Sequence, residues 1–586
     1  MRYFDASPNR GNSYKWFITL TILAISLMLT SAPPWGAFAQ EQQQTQTTQQ
    51  SQAAKIEAQA QAQITQITLV PVSLVSPIER AEKDGTALRL SLKDVTKLAL
   101  QNNLNIAIAD TQEDLKQQAL VSAHAQYDPT LTISGSTSRS NAAPTQATQQ
   151  ASSGYITTTD TASWNVSIRQ QIPTGGNVNL SWNTSRTDNN LADSLTTPTY
   201  SPRANLSFTQ PLWKNLKVDS LRNNIKIANL DLKANDSSFK QSVTSTVAQI
   251  QKAYWNLVSS IYQYRNAVGS VILARTSAEN AKKKVDIGTS APIEYTQSLA
   301  SQASREVSVI SSEERILQNE NTLKNLISKD RSADIWGKTI VPTDTPEVEE
   351  YKVDLNQAIS TAMKNSTQLE TDDMSLQKSD LSYALTRENK KWQVDLAASI
   401  GSNGTGGNQG YRNGVAVLAP EFVGGLFTGY KTIFTGGTYN WSLGFNVSIP
   451  LRGRNVDTQL ATARINRQNI VTQRTQHEQQ VIVDINNYVQ ALTTAKKQLD
   501  TAAISRQLAE AQLDAENKRL AAGLSQQYLV LQAQDSLSQA QSSELTSKIN
   551  YKTAIINLQQ AMNTLLTESN INLSTDLNKS KVTTFK

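Results

Sequence analysis

The sequence contains no cysteine, and this absence excludes several kinds of site. Without a Cys among its 586 residues, the chain cannot carry a disulfide, a thiolate metal site or a lipid anchor attached through an N-terminal Cys. Histidine is also scarce. The only two, His124 and His477, are far apart in polar helical segments, and we expect both to be solvated. No nucleophile and base form a catalytic arrangement, so the sequence predicts no enzyme, no metal site and no cofactor.

Apolar and aromatic residues are too few for two or three ordinary globular domains of this total length. They make up 38% and 6% of the residues, respectively, and Gln, Asn, Ser, Thr and Ala take their place. This composition suits long solvated helices and strands with one polar face. The charged residues form no basic stripe with interleaved aromatic residues, which argues against a nucleic-acid partner.

Long apolar runs are missing apart from one near the N-terminus. Residues 16–29 are apolar but too few to span a membrane as a helix. Three basic residues precede this run, and an Ala-Phe-Ala cleavage pattern ends at Ala39. We therefore predict a signal peptide at residues 1–39, with a retained membrane anchor as the alternative. Residues 40–87 read as a Gln-rich lead-in that ends in a short extended segment at residues 67–77.

The two halves of the chain contain the same landmarks in the same order. A capped helix start, a strand end and a hairpin turn occur first at Ser91, Pro211 and Gly288, and again at Asp354, Pro450 and Gly523. Similar offsets between the three pairs predict an internal two-fold repeat of one supersecondary unit. We place the first repeat at residues 88–330, an equatorial linker at 331–352, the second repeat at 353–568 and a C-terminal tail at 569–586.

Each repeat contains a very long predicted helix, at about residues 219–285 and 457–520. At a rise of about 1.5 Å per residue, each helix would be on the order of 100 Å long. In the first, the apolar residues follow a three-and-four spacing that predicts a coiled-coil seam. The members of this seam are Val247, Ile250, Tyr254, Leu257, Ile261, Tyr264 and Val268. Ile485, Leu492 and Leu499 repeat part of it in the second helix.

The segments between the helices alternate between apolar and polar residues. Such strands suit either a sandwich or a membrane barrel with lipid outside and water inside. Five tryptophans lie in or beside these strands, as expected for an interfacial girdle or for a sandwich core: Trp164, Trp182, Trp213, Trp392 and Trp441. We interpret the Gly-rich residues 401–407 as a flexible hairpin loop, with no helix before Gly437. The adjacent acids Asp372 and Asp373 are interpreted as exposed helix residues.

Taken together, the duplicated order, the Gln-Pro-Leu and Ile-Pro-Leu strand ends, the long helices and the turn at Gly288 followed by Glu294 resemble the TolC-like outer-membrane efflux proteins. The resemblance covers about residues 88–568. It implies a mainly α protein with a membrane β-barrel. Three protomers would each give four strands to a shared twelve-stranded barrel, continued by an α-helical coiled-coil tunnel across the periplasm. The protein would be a passive exit duct in the outer membrane of a two-membrane bacterium, with most of its mass in the periplasm. Its partners would be a periplasmic adaptor, an inner-membrane transporter and outer-membrane lipid.

The hairpin tips depart from the family pattern. The family's acid six residues after the first Gly is present as Glu294, but the Arg and Tyr positions that would meet it hold Ser525 and Leu520. The two inward acids after the second Gly are replaced by Leu529 and Gln532. We predict a periplasmic gate formed by Glu294, Arg519, Leu529 and Gln532, in which Glu294 pairs with Arg519 or Lys518. Residues 163–186 also look like an extra hairpin, which either changes the count of four strands per chain or forms an extracellular extension.

Two other classes of protein remain as alternatives. A secreted coiled-coil filament of the flagellin type would explain the helices and the composition, but neither the strand alternation nor the tryptophan positions. A periplasmic hydrolase with a coiled-coil insertion would need a nucleophile and a base that the sequence does not offer.

Overall fold

A computed structural model describes residue 55 and residues 73–143, 156–191, 194, 196–412, 415–435 and 437–571. The predicted signal peptide and nearly all of residues 40–72 lie outside the described residues, as do residues 572–586. The helices are α1 (Pro77–Lys83), α2 (Leu92–Asn102), α3 (Leu104–His124), α4 (Ser220–Asp286), α5 (Pro292–Ile327), α6 (Leu355–Asn365), α7 (Thr367–Glu388), α8 (Leu426–Thr435), α9 (Arg454–Ala521), α10 (Gln527–Ala561) and α11 (Leu565–Glu568).

Six long strands form one antiparallel sheet in the order β11-β7-β5-β4-β3-β2. Their bounds are β2 (Thr130–Ala142), β3 (Thr157–Gln171), β4 (Asn177–Asn189), β5 (Thr199–Pro211), β7 (Gln393–Asn403) and β11 (Tyr439–Ser448). The short strands are β1 (Ala87–Leu90), β6 (Thr339–Pro342), β8 (Gly406–Gly407), β9 (Tyr411–Arg412) and β10 (Val415–Ala416). Along the chain, the long strands therefore follow one another as an up-and-down meander.

The expectation of four strands per chain is wrong. The extra hairpin predicted at residues 163–186 is β3 and β4, and both strands are hydrogen-bonded along their length between β2 and β5. The turn between them is built at Gly175, whose φ of +86° favours a residue without a Cβ. The chain thus has six long strands in one sheet. Three protomers with four strands each, as expected for a twelve-stranded barrel, do not describe this chain.

The two long helices match the prediction and are joined to their returning partners by glycine turns. Gly288 and Gly523 end α4 and α9 with φ values of +76° and +72°, the left-handed conformation usual just after a helix end. Pro292 starts α5 at a position where its missing N–H costs nothing. Helices α4 and α5 form one long hairpin, and α9 and α10 form the other.

The predicted seam on α4 is the centre of the largest core cluster. Six of its seven residues are buried, and Val268 packs against them while partly exposed. Ile485, Leu492 and Leu499 are likewise buried on α9, in a second cluster with Tyr551 and Leu558 of α10. The apolar stripe therefore packs the helices together, as its spacing predicted.

A small equatorial layer joins the two halves of the chain. Strand β1 pairs in parallel with β6, and the Asp344 carboxylate accepts hydrogen bonds from the Leu92 amide at 2.7 Å and the Tyr254 hydroxyl at 2.6 Å. Of the extended segment predicted at residues 67–77, residues 73–77 are described, and α1 begins only at Pro77. Ser76 caps this helix with Glu79, and Pro77 occupies its first position. No helix in the described ranges is long and apolar enough to cross a membrane.

Candidate functional site

The six-stranded sheet carries mostly apolar side chains on one face and mostly polar side chains on the other over its central part. Because paired residues of neighbouring strands point to the same side of a sheet, the register assigns each side chain to a face. The apolar face carries Leu131, Ile133, Val166, Ile168, Leu180, Trp182, Leu206, Phe208, Ile400, Leu443, Phe445 and Val447. The opposite face carries Ser134, Asn165, Ser167, Asn179, Ser181, Asn205, Ser207, Ser399, Asn440, Ser442 and Asn446.

The apolar face remains open over most of its area. Ile133, Leu443 and Phe445 each expose more than 60% of their surface, and no second sheet stacks on this face within the described ranges. The sandwich interpretation of the alternating strands therefore does not describe this fold. A continuous apolar surface of this extent is unfavourable in water and marks an interaction site.

Tryptophans lie at two levels along the strands. Trp213 and Trp392 are at the end that continues into the helices, and both are more than half exposed. Trp164, Trp182 and Trp441 lie within the strands on the apolar face. Two levels of amphipathic rings that border an apolar band are typical of a sheet that crosses a membrane.

At the opposite end of the molecule, the hairpin tips bring the predicted gate residues to neighbouring turns but do not pair them. Glu294 lies in the first turn of α5 and is half-buried, and no ion pair in the described part of the chain involves it. Arg519 instead lies 3.7 Å from Glu516, and Lys518 lies 2.6 Å from Asp514. Within one chain, the expected Glu294–Arg519 or Glu294–Lys518 pair is therefore not formed, and pairing between protomers stays a prediction.

Leu529 and Gln532 lie on the exposed side of α10. Leu529 exposes 42% of its surface, and Gln532 is also exposed. One turn further along the same side lies Asp535, an acid that sequence comparison with the family pattern did not select. Its carboxylate accepts a hydrogen bond at 2.6 Å from Arg305 of α5, a buried arginine. This ion pair links the two hairpins near their tips.

Asp372 is buried, against the expectation of an exposed helix residue, whereas His477 and Asp373 remain partly exposed but take part in contacts between helices. His477 Nδ1 lies 2.6 Å from Asp372 Oδ2, and Arg474 Nε donates to Asp373 Oδ1 at 2.5 Å. These contacts join α9 to α7, because Arg474 and His477 are three residues apart and so lie on the same side of α9. His124 is exposed, as expected, with Nδ1 2.9 Å from the Leu120 carbonyl oxygen. No cluster of metal-ligating residues occurs in the part of the chain that the structure describes.

The glycine-rich residues 401–407 are not a flexible loop. Residues 401–403 end strand β7, Gly406 and Gly407 pair with β5 as strand β8, and helix α8 follows before Gly437. The missed signal is the set of apolar residues Leu426, Phe427, Ile433 and Phe434, which lie in a segment short enough to resemble another strand. Pro211 ends β5 opposite Asp395, and Pro450 lies two residues beyond β11.

The family model for outer membrane efflux proteins matches residues 175–329 and 358–564, more than half of the chain. The chain belongs to the outer membrane efflux protein family. Members of this family are channels and not enzymes, and its homologues are outer-membrane channels of Gram-negative bacteria. The sequence matches none of the curated proteins with which it was compared.

Solved structures support the efflux-protein fold at low sequence identity. The Campylobacter jejuni CmeC outer membrane channel is 15% identical and aligns over 86% of this chain and 94% of CmeC, with a TM-score of 0.58. CusC is 14% identical over 84% of this chain and 96% of its own, with a TM-score of 0.59. VceC of Vibrio cholerae is 16% identical and aligns over 80% of this chain and 95% of VceC, with a TM-score of 0.55.

Proposed function

We propose that this protein is the passive outer-membrane exit duct of an efflux assembly, delivering small molecules or polypeptides to the cell exterior. The observation that carries the proposal is the two-faced sheet. Its apolar face suits lipid, and its Ser- and Asn-rich face suits a water-filled lumen. A secreted filament of the flagellin type is disfavoured, because it would expose this apolar face to water.

The six-stranded sheet requires other copies of this chain to complete its edges. Strands β2 and β11 are its two edges, and both are exposed at every position. A sheet in lipid cannot leave its edge N–H and C=O groups unpaired. With six strands in alternating directions, β2 of one protomer and β11 of the next run antiparallel, so identical copies can close. In a trimer, as in the family, three copies of the six strands give an eighteen-stranded barrel.

The long hairpins then extend from the barrel into the periplasm. Their polar outer sides suit a solvated tunnel, and each spans on the order of 100 Å. The tips would meet a periplasmic adaptor and an inner-membrane transporter, and most of the mass would lie in the periplasm. The entrance would be formed by three copies each of Glu294, Arg519, Leu529 and Gln532.

One matched pair of substitutions tests the two faces. Leu180 and Asn179 are neighbours in β4 on the apolar and polar faces, respectively. Leu180→Arg would place a charge in lipid, at a cost of about 2–4 kcal/mol near the bilayer midplane, and should sharply lower the amount of protein assembled in the outer membrane. Asn179→Arg should assemble normally and reduce cation preference in planar-bilayer conductance. Equal assembly of both variants, with no channels from either, would refute the proposal.

A further inference from the structure

Helix α8 lies against the apolar face of the sheet, on the side that the proposed duct turns toward lipid. Gly429 allows the close approach: a Cβ there would lie 3.0 Å from Pro202 of β5. Ser402 of β7, a residue of the apolar face, donates a hydrogen bond to the Ile433 carbonyl at 2.5 Å. Thr184 of β4 becomes completely buried beneath the helix. The helix is therefore packed onto the barrel wall and is not a free loop.

Tyr430 fixes the height of the helix on the wall. Its hydroxyl accepts a hydrogen bond from Trp164 Nε1 at 3.2 Å and lies 3.3 Å from Thr184 Oγ1. Its ring centroid lies 5.7 Å from that of Trp182. The tyrosine thus belongs to the same aromatic level as the two tryptophans, near the middle of strands β3 and β4.

The side of α8 that faces away from the sheet is aromatic and basic. Phe427 and Phe434 are seven residues apart and expose 86% and 79% of their surfaces. Lys431, between them on the same side of the helix, is also exposed. Two phenylalanines in such positions would be unfavourable in water, so this side requires a covering.

A neighbouring protomer does not supply that covering. Helix α8 contacts β3, β4, β5 and β7, which are the inner strands of the sheet. Protomers would meet at the outer strands β2 and β11.

The helix lies between two different parts of the same face. Toward the helical end of the strands, Leu180 and Leu206 continue the apolar face. At the far end of the strands, Arg139 pairs with Asp160 and Arg186 pairs with Asp188 on that same face. The helix therefore lies at the boundary between an apolar band and a charged rim.

From this placement we propose that α8 is an interfacial lipid-binding helix. Phe427 and Phe434 insert at the boundary of headgroups and acyl chains, and Lys431 binds the phosphate of an anionic lipid. Amphipathic helices with aromatic residues and a lysine are suited to this position. The inference rests on the proposed barrel but adds a lipid-binding element outside its strands.

The absence of native cysteine allows a direct test by spin labels at single introduced cysteines. Phe427→Cys and Phe434→Cys are compared with Leu180→Cys on the apolar face and Asn179→Cys on the polar face, all in vesicles of phosphatidylcholine with phosphatidylglycerol. We expect both helix labels to be accessible to oxygen and protected from a water-soluble nickel reagent. Their oxygen-to-nickel accessibility ratio should exceed that of Asn179→Cys severalfold and fall below that of Leu180→Cys, as for a shallow position.

The outcomes separate this inference from the proposed function. Nickel-accessible labels on α8, together with a nickel-protected Leu180→Cys, would refute the lipid-binding helix and leave the barrel intact. Labels on α8 that are protected from both oxygen and nickel would show that protein covers the helix, and this result would also refute the lipid-binding helix. A nickel-accessible Leu180→Cys would instead refute the barrel itself.

A second comparison tests the phosphate contact of Lys431. In vesicles containing phosphatidylglycerol, the Phe434→Cys label should lie deeper than in vesicles of phosphatidylcholine alone. Adding Lys431→Gln should remove this difference and leave Leu180→Cys unchanged. A difference that persists in the Lys431→Gln variant would contradict a role for Lys431 in lipid binding.

Discussion

The contact between Arg305 and Asp535 shows how single residues connect the two hairpins near their tips. Arg305 is buried, and besides Asp535 its guanidinium donates to Ser301 Oγ at 3.3 Å. Asp535 is largely exposed, so water screens part of the attraction. In a neighbouring contact, the half-exposed Arg275 of α4 donates at 2.8 Å to the buried Glu306 of α5. The two arginines thus connect α4, α5 and α10 through ion pairs that are partly exposed to water.

We predict a measurable coupling between Arg305 and Asp535. Arg305→Gln and Asp535→Asn should each raise the frequency of open-pore events in planar bilayers, and the double variant should differ little from either single one. An ion pair with an exposed member contributes about 0.2–1 kcal/mol, so the change should be at most a few-fold. Lys496→Gln with Asp500→Asn, an ion pair between exposed side chains within α9 and distant in sequence from the hairpin tip, is the control and should not alter gating. Additive effects of Arg305→Gln and Asp535→Asn would show that the pair does not act as a unit.

A separate prediction concerns Glu294, the acid of the proposed gate, which has no cation partner among the described residues of its own chain. Three such carboxylates at a narrow entrance would attract cations, so Glu294→Gln should modestly lower cation preference, measured as a reversal potential across a salt gradient. If Arg519 of a neighbouring protomer meets Glu294, Arg519→Ala should add nothing to the conductance change caused by Glu294→Gln. Independent, additive changes would assign Arg519 solely to Glu516.

At the scale of elements, the seam of α4 is the feature that the sequence predicted best. Its period is long and regular, and the same stripe is buried along the helix. The sequence could not predict helix α8, because a ten-residue apolar segment has no period long enough to distinguish it from a strand. The pairing of His477 with Asp372 was also missed, since contacts between residues 105 positions apart depend on how α7 packs on α9. Likewise, the alternation of apolar and polar residues predicted a hairpin at β3 and β4. It did not predict that both strands lie within the sheet between β2 and β5.

Two adjacent residues of α4 test the seam. Leu257 is fully buried, whereas Asn256 is exposed. Leu257→Asp would bury an unpaired charge and should cost several kcal/mol, so the yield of folded trimer should fall sharply. Asn256→Asp introduces the same carboxylate one residue away and should leave the yield nearly unchanged. A normal yield from Leu257→Asp would show that this side of α4 is in contact with water and not buried.

The equatorial contact of Tyr254 predicts an alkaline limit to stability. Burial, followed by the hydrogen bond to Asp344, raises the pKa of Tyr254 above its usual value of 10.0. A raised pKa in the folded state means that the contribution of the neutral phenol is complete below pH 10 and is lost as the pH rises through the folded pKa. The melting temperature should therefore decline above about pH 10. In Tyr254→Phe, we expect a lower melting temperature at neutral pH and a smaller alkaline decline; an identical alkaline decline would exclude Tyr254 as its source.

At the scale of the whole molecule, the number of strands decides how the duct closes. Six strands in a meander leave β2 and β11 as the edges, and an even number makes those edges antiparallel between protomers. If β3 and β4 instead left the wall, β2 would have to pair with β5, and the hydrogen bonds of β2–β3 and β4–β5 would be lost. Because lipid offers no replacement for these bonds, we expect the eighteen-stranded closure.

Cysteine cross-links between protomers can distinguish the two closures. Ser134 on the polar face of β2 is changed to Cys and combined, one at a time, with Asn440→Cys, Ser442→Cys or Asn446→Cys on the polar face of β11. One of these combinations should form disulfide-linked trimers under oxidation, because cross-strand neighbours on the same face bring their Cβ atoms within about 5.5 Å. Leu443→Cys, on the opposite face, should not cross-link with Ser134→Cys. As an intrachain control, Ser136→Cys with Ser163→Cys should close within one protomer, since the two hydroxyl oxygens lie 2.8 Å apart. Failure of all three β11 positions, with the control bond intact, would show that β2 and β11 are not the edges that meet.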